Sequence, residues 1–391
     1  MEPWIFPDNA TLSTGGIGAC CTSLLDQFGS KVILPGTHEF NDYLSSYYTK
    51  QSASLQPLCV VSPSTADDVS SIVRTILFLS ETIGEPDSSQ CHFAVRSGGH
   101  GIPKGASNIA GGVTIDLRSL DDIEIKEGNI ASLGVGATWD QVYLELEPLG
   151  LSVAGGRNAG VGVGGLITGG GISFFSPRYG WSCDSVVNFE VALANGTVVN
   201  ANDEENPGLA SALRGGSNNF GIVTRIDMRA FEQDLLWGGM SFYDLSTAPD
   251  HLKAFVNFIS PDTYDPYSSL ITTYVLIPGV PPSIATNLEY TKPEANPPSL
   301  QPLLSIPALS NEADDAKITT EAQALIANIE DDARSLGAYD PFVYINYAAS
   351  WQDPISSYGT EQVNRLRKIR RQFDTKGLFT GNVRGGFKIL E

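Results

Sequence analysis

Four short segments hold the residue types that could do chemistry. In Arg96-Ser97-Gly98-Gly99-His100-Gly101, paired glycines follow a short apolar run, HFAV. Adjacent glycines let a backbone turn sharply and bring N–H groups close to an anion, a nest suited to a pyrophosphate, with Ser97 and Arg96 as further donors. A plain β-turn carrying an exposed histidine, with Arg96 in a structural ion pair, fits the hexapeptide equally well. The second segment runs from Gly160 to Gly171, and seven of its twelve residues are glycine. Its other residues are apolar or β-branched apart from Thr168, whereas a flexible linker would be polar and serine-rich. Bare backbone of this kind can lie along a large flat ligand, with Thr168 as the one side-chain donor.

Gly160, Gly162 and Gly165 also match GxGxxG, the dinucleotide fingerprint. That fingerprint needs a helix to begin inside it, and Gly169-Gly170-Gly171 would break such a helix within its second turn, so the context is wrong. The third segment, Arg214 to Val223 (RGGSNNFGIV), again sets paired glycines before polar residues and an apolar strand, and taken alone reads as a loop. The fourth is Tyr344-Ile345-Asn346-Tyr347. Strand alternation would put Tyr344 and Asn346 on one face and Ile345 and Tyr347 on the other. No GxSxG elbow and no telling carboxylate pair supports hydrolysis.

The 391 residues exceed what one core usually supports, which implies two domains. A net charge of −20 argues against nucleic acid or an anionic membrane surface as partner. No run of eighteen apolar residues spans a bilayer, and the first residues do not read as a signal peptide. Five cysteines without a CxxC pair and four histidines without ligand spacing give no metal site. Sequons at Asn9 and Asn195 lean the compartment towards the secretory route. The periodicity predicts strand, helix, strand over 58–96 as a small parallel unit, with the helix over 64–80 opened by Thr65. Strands follow at 113–117, 123–126, 131–135 and 186–193, with a hairpin turn at Asn195-Gly196. Residues 237–277 read as strand, helix, strand; 281–312 are proline-rich with little period. Helices are expected at 319–336 and at 360–373, the latter with Thr360 as N-cap and a basic run, Arg365 to Arg371, on a solvated face.

Taken together, the motifs resemble the vanillyl-alcohol-oxidase superfamily with its para-cresol-methylhydroxylase-type FAD domain, and most of all the berberine-bridge-enzyme-like branch with its fungal secondary-metabolite and sugar oxidases. In order they are CCTSL, PLCVVSPSTADDV, FAVRSGGHG, GASNIAGGVTIDL, GVGVGGLITGGGISFFSPRYG, DSVVNFEVALANG, ALRGGSNNFGIVT, YINYAASWQDP and GGFKI. The resemblance implies an α+β fold: an FAD-binding domain over 1–231 in two subdomains meeting near 115, a substrate domain with an antiparallel sheet over 232–338, and a C-terminal segment, 339–391, returning to the FAD domain. It implies that Arg96, Ser97, Gly98, Gly99, His100 and Gly101 hold the FAD pyrophosphate, with His100 bonded to the flavin. Gly162, Gly164, Gly165, Thr168 and Gly169 would line the flavin and ribityl chain, and Gly221, Ile222 and Val223 the adenine side or flavin edge. Tyr344, Asn346 and Tyr347 would close over the isoalloxazine. Cys21 would pair with Cys59, although Cys20 could substitute.

Three departures stand out. Asn158 occupies the position of the family's second, cysteinyl flavin link, Gly101 stands where serine is frequent, and 232–338 is shorter than the usual substrate domain. The resemblance implies an oxidase taking hydride from a small alcohol, phenol or amine, with oxygen as the second substrate and Tyr344 or Tyr347 as base. A non-oxidative cyclase or isomerase, or an impaired flavin-binding protein, would carry the same motifs. A shortened middle leaves sheet edges exposed. Limited proteolysis is expected to cut first between 281 and 318 and leave the FAD domain intact; a protease-resistant middle would contradict that.

Overall fold

The computed structural model describes residues 17–83, 90–275, 282–300 and 315–390. The first described element is a helix, Gly18–Phe28, which buries Cys20, Cys21 and Leu24. The first sheet takes strands β1 (Val32–Ile33), β2 (Cys59–Val61), β3 (Phe93–Arg96) and β4 (Val113–Asp116), in the order β1-β2-β4-β3. Strands β2 and β3 both run parallel to β4 and flank it, so the expected parallel unit is split by a strand inserted later in sequence. Their near-continuous apolar texture fits a sheet covered on both faces. The helix Ala66–Thr82 supplies part of that cover through Val69, Ile72, Val73 and Ile76, one stripe at helical spacing. Thr65 caps it by accepting the Asp68 N–H at 3.1 Å.

The second sheet is antiparallel: β5 (Ile123–Lys126), β6 (Ile130–Gly134), β8 (Val186–Ala192), β9 (Val198–Ala201) and β10 (Ile222–Arg229), in the order β5-β6-β10-β8-β9. Two short strands, β7 (Leu151–Ser152) and β11 (Phe231–Glu232), pair apart from it. The β8–β9 hairpin turns at Asn195-Gly196, where Gly196 has φ +78° and Asn195 Oδ1 accepts the Thr197 N–H. One apolar core spans both sheets, and Trp139, Phe93, Phe189, Phe220 and Phe379 are its largest members.

A third sheet, β12 (Trp237–Asp244), β13 (Ser268–Val275) and β14 (Ser283–Tyr290), is antiparallel in the order β12-β14-β13 and has its own small core. Its central strand β14 lies in the stretch expected to lack period. Ile284, Thr286, Leu288 and Tyr290 do alternate towards the core, but the surrounding prolines hide the pattern. Helix Asp315–Ser335 follows; 276–281 and 301–314, which hold part of the stretch where the first proteolytic cut is expected, lie outside the described residues.

Helix Thr360–Phe373 has the expected bounds, but its N-cap is Gly359 at φ +85°, with Thr360 already helical. Its basic run is not wholly solvated. Arg370 is 6% exposed and donates to Thr380 Oγ1 at 3.1 Å, while Arg365 and Arg367 reach Ser211 Oγ and the Leu390 carbonyl. Two disulfides staple the first subdomain: Cys21–Cys59, as the family likeness implied, and Cys20–Cys91, which the sequence did not reveal. Cys183 stays reduced and buried. Cross-links closing loops of 38 and 71 residues restrict the unfolded chain. Cys91→Ser should therefore lower unfolding stability by roughly 2–4 kcal/mol in denaturant melts; an unchanged midpoint would show that this bridge does not form.

Candidate FAD site

Strand β3 ends at Arg96, and the chain then loops through Gly98 and Gly99 beside the Gly-rich segment. A Cβ on Gly98 would lie 2.4 Å from Gly162 N, and one on Gly162 would lie 2.1 Å from Ser97 Oγ and 2.2 Å from Gly98 N. Only glycine permits two backbones to approach this closely. Ser97 Oγ donates to the Val135 carbonyl at 2.6 Å, which ties the loop to the second sheet. Gly99 has φ +80°, and among the described residues the N–H groups of Gly98, Gly99, His100 and Gly101 donate to no carbonyl. Four unengaged donors on a turn reversing through the left-handed region form a cradle for an anion.

Arg96 serves this loop from within. It is 1% exposed and donates to the carbonyls of Tyr43 and Ser46 and to Ser46 Oγ, with its guanidinium 3.9 Å from the centre of the Tyr47 ring. Its side chain is thus committed to holding the 43–48 segment. His100 is half-buried, and burial together with the Arg96 charge pushes its imidazole below the usual histidine range.

The Gly-rich segment does form a helix, Val163–Thr168, and it stops at Gly169, within the second turn. Thr168 Oγ1 donates inside that helix, to the Gly164 carbonyl at 2.9 Å, while its own carbonyl accepts the Gly215 N–H. Gly164 and Gly169 have no positive φ; what demands glycine there is close packing. A Cβ on Gly164 would lie 3.0 Å from Val135 Cβ, and one on Gly169 would lie 1.9 Å from Asn346 Oδ1. Gly221 is bare because Val191 Cγ1 of β8 would sit 2.5 Å from its Cβ, and Ile222 and Val223 open β10 beside that strand.

Residues 345–347 form a turn rather than a strand, closed by the Tyr347 N–H on the Tyr344 carbonyl. The turn brings the four side chains into a different arrangement from the expected alternation. Ile345 is buried; Asn346 Nδ2 donates to the Leu166 carbonyl and to Tyr344 Oη, both at 3.0 Å; and Tyr344 Oη also accepts the Gly171 N–H at 3.0 Å. Burial raises the Tyr344 phenol above its ordinary range, against those two hydrogen bonds. Tyr347 remains 64% exposed, and its Oη accepts from Arg157. A cavity of about 370 Å³ adjoins both phenols, and its aromatic lining is Tyr339, Phe342, Tyr344 and Tyr347.

Three residues at this site went unread in the sequence. Tyr48 stacks on His100, and Arg157 reaches Tyr347 across 190 positions; no local signal marks either. Lys388, within the GGFKI motif, donates to Asn218 Oδ1 at 2.7 Å and draws the C-terminal strap onto the 216–219 loop. Burial pushes its ammonium down to about 7, partly opposed by Asp374.

Known proteins share the FAD domain and the fold. Residues 57–202 match the FAD binding domain family. The FAD-dependent monooxygenase drtC of Aspergillus calidoustus is 33% identical over 95% of this chain and 90% of its own length. The FAD-dependent monooxygenase sdcF of Emericella nidulans is 31% identical over 95% and 98%. Among solved structures, 6-hydroxy-D-nicotine oxidase of Arthrobacter nicotinovorans shares the fold at a TM-score of 0.71 and 19% identity, over 89% of this chain and 96% of its own. A BBE-like 1 variant of Physcomitrella patens does so at 0.73 and 17%, over 95% and 99%. The chain belongs to the same FAD-binding family as these fungal FAD-dependent monooxygenases and is an FAD-linked oxidoreductase, and it shares the fold of the berberine-bridge-enzyme-like structure. Its alignment with drtC runs over 482 positions against 391 residues here, so the relative carries residues with no counterpart in this chain.

The free N–H row beside the bare Gly98–Gly162 contact fits the diphosphate of FAD. Gly165 supplies a clean test, because a Cβ there meets no atom of the described residues within 4 Å. Gly165→Val should keep the native circular dichroism and thermal midpoint while losing flavin absorbance; full flavin occupancy would remove Gly165 from the cofactor surface.

Proposed function

We propose that the protein is an oxidase of a small aromatic alcohol or phenol in secondary metabolism, with FAD tethered through His100. The observation carrying this reading is the division of labour between the two phenols. Tyr344 Oη is already occupied by the Gly171 N–H and Asn346, whereas Tyr347 keeps an exposed face at the aromatic-lined cavity, its oxygen held by Arg157. An aromatic lining suits a flat ring, which gains both apolar burial and ring contacts.

Bound FAD supplies the acceptor for hydride and is restored by oxygen. The chain does the rest. The Gly98–Gly101 donors hold the diphosphate, and Tyr344 with Asn346 braces the turn against the Gly-rich segment. Tyr347 takes the substrate hydroxyl proton at Oη, from its exposed face at the aromatic-lined cavity. Asn158, at the place of the family's second link, leaves one tether. Two disulfides in the first subdomain favour an oxidising compartment for the protein.

A second reading, oxygen insertion, is favoured by the naming of the relatives as monooxygenases. Turnover under labelled dioxygen separates the two. The oxidase reading expects one hydrogen peroxide per product and no label in it; labelled product would establish insertion. Tyr347→Phe should slow anaerobic flavin bleaching by roughly 100-fold or more, the scale of a lost general base, and an unchanged rate would move the base elsewhere.

A further inference from the structure

His100 is held by more than its own loop. The Tyr48 ring lies 4.5 Å from the imidazole centroid with the planes 15° apart, a stacked pair. The Tyr48 N–H donates to the Gly99 carbonyl, so backbone and ring both clasp the histidine turn. Tyr48 is 67% exposed, yet the segment bearing it is fixed from beneath. Arg96 bonds the carbonyls of Tyr43 and Ser46 and lies over the Tyr47 ring, and Tyr47 Oη donates to the Ser107 carbonyl at 2.9 Å. Gly160 bounds the imidazole near Nε2: a Cβ there would stand 3.2 Å from that nitrogen. Gly160 is itself pinned, its N–H on Asp140 Oδ1 at 2.7 Å. Among the described residues neither ring nitrogen of His100 has a hydrogen-bond partner, and burial with the Arg96 charge favours the neutral imidazole, the form with a free lone pair.

An imidazole held in plane from one side, with a glycine at its edge and an unengaged nitrogen, is arranged as a nucleophile. We propose that Tyr48 is the positioning residue for flavin attachment, fixing the His100 ring so that one nitrogen meets the methyl carbon of the flavin. This rests on the reading of His100 as the tether. In the step, one methyl C–H and the imidazole N–H break and a nitrogen–carbon bond forms. The electron pair and both protons reside on the flavin, which is thereby reduced; dioxygen then removes them as hydrogen peroxide.

The test uses the full chain and reads attachment rather than turnover. Wild type, Y48F, Y48A and Y48L are purified, supplied with FAD in air, and sampled over time for flavin that survives acid precipitation. Total bound FAD is measured in parallel by absorbance. Y48F should attach flavin as wild type does, since the ring is kept. Y48A and Y48L should bind FAD yet attach it about tenfold more slowly, the scale of a lost aromatic pair and a loosened nucleophile. Attachment at the wild-type rate in Y48A and Y48L would overturn the proposal. So would loss of all FAD binding in both, because Tyr48 would then hold the site and not the imidazole. Acid-soluble flavin in the wild type itself would instead remove the tether on which the proposal rests.

Discussion

The structure turns on one contact: backbone against backbone at Gly98 and Gly162. The first residue lies just beyond the last strand of a mixed, mostly parallel sheet stapled by disulfides, and the second opens a short helix beside an antiparallel sheet. A methyl group on either would drive these layers apart, since each would land within about 2.4 Å of the partner's nitrogen. The distance between the sheets, the row of free N–H groups and the placing of His100 all follow from that approach. Glycine here gives up side-chain packing and conformational entropy in exchange for a surface on which a diphosphate can rest.

Around this seam the chain invests in rigidity. Arg96 is buried against carbonyls and rings, Asn219 ties the 216–219 loop to the Phe387 carbonyl and the Ile389 N–H, and Lys388 adds its bond to Asn218. Asn108 satisfies all its polar capacity internally, accepting from Thr114 and Ile109 and donating to Ser52 and Leu55. Buried polar groups with complete partners fix one geometry and penalise alternatives. The third sheet differs. It has a small separate core and leaves Leu252, Phe255, Val256 and Ile259 exposed at helical spacing.

The FAD domain was legible because its signals are local. Thr65 before a helical stripe, Asn195-Gly196 between strands and the glycine clusters each declare themselves within a dozen residues. The site's finer geometry was not, because long-range contacts set it. Strand alternation at 344–347 gave way to a turn once Asn346 bonded Leu166 and Tyr344 bonded Gly171. Thr360 lost its cap role to Gly359, which adopts a positive φ at no cost. Strand β14 was hidden by prolines around it, and the Cys20–Cys91 bridge by the absence of any rule that pairs cysteines from sequence.

The most direct measurement of the account is mass mapping of proteolytic peptides from the native, yellow protein. The account predicts flavin mass on the peptide containing His100 and on no other. Flavin recovered wholly unattached, or attached to a peptide that lacks His100, would contradict it.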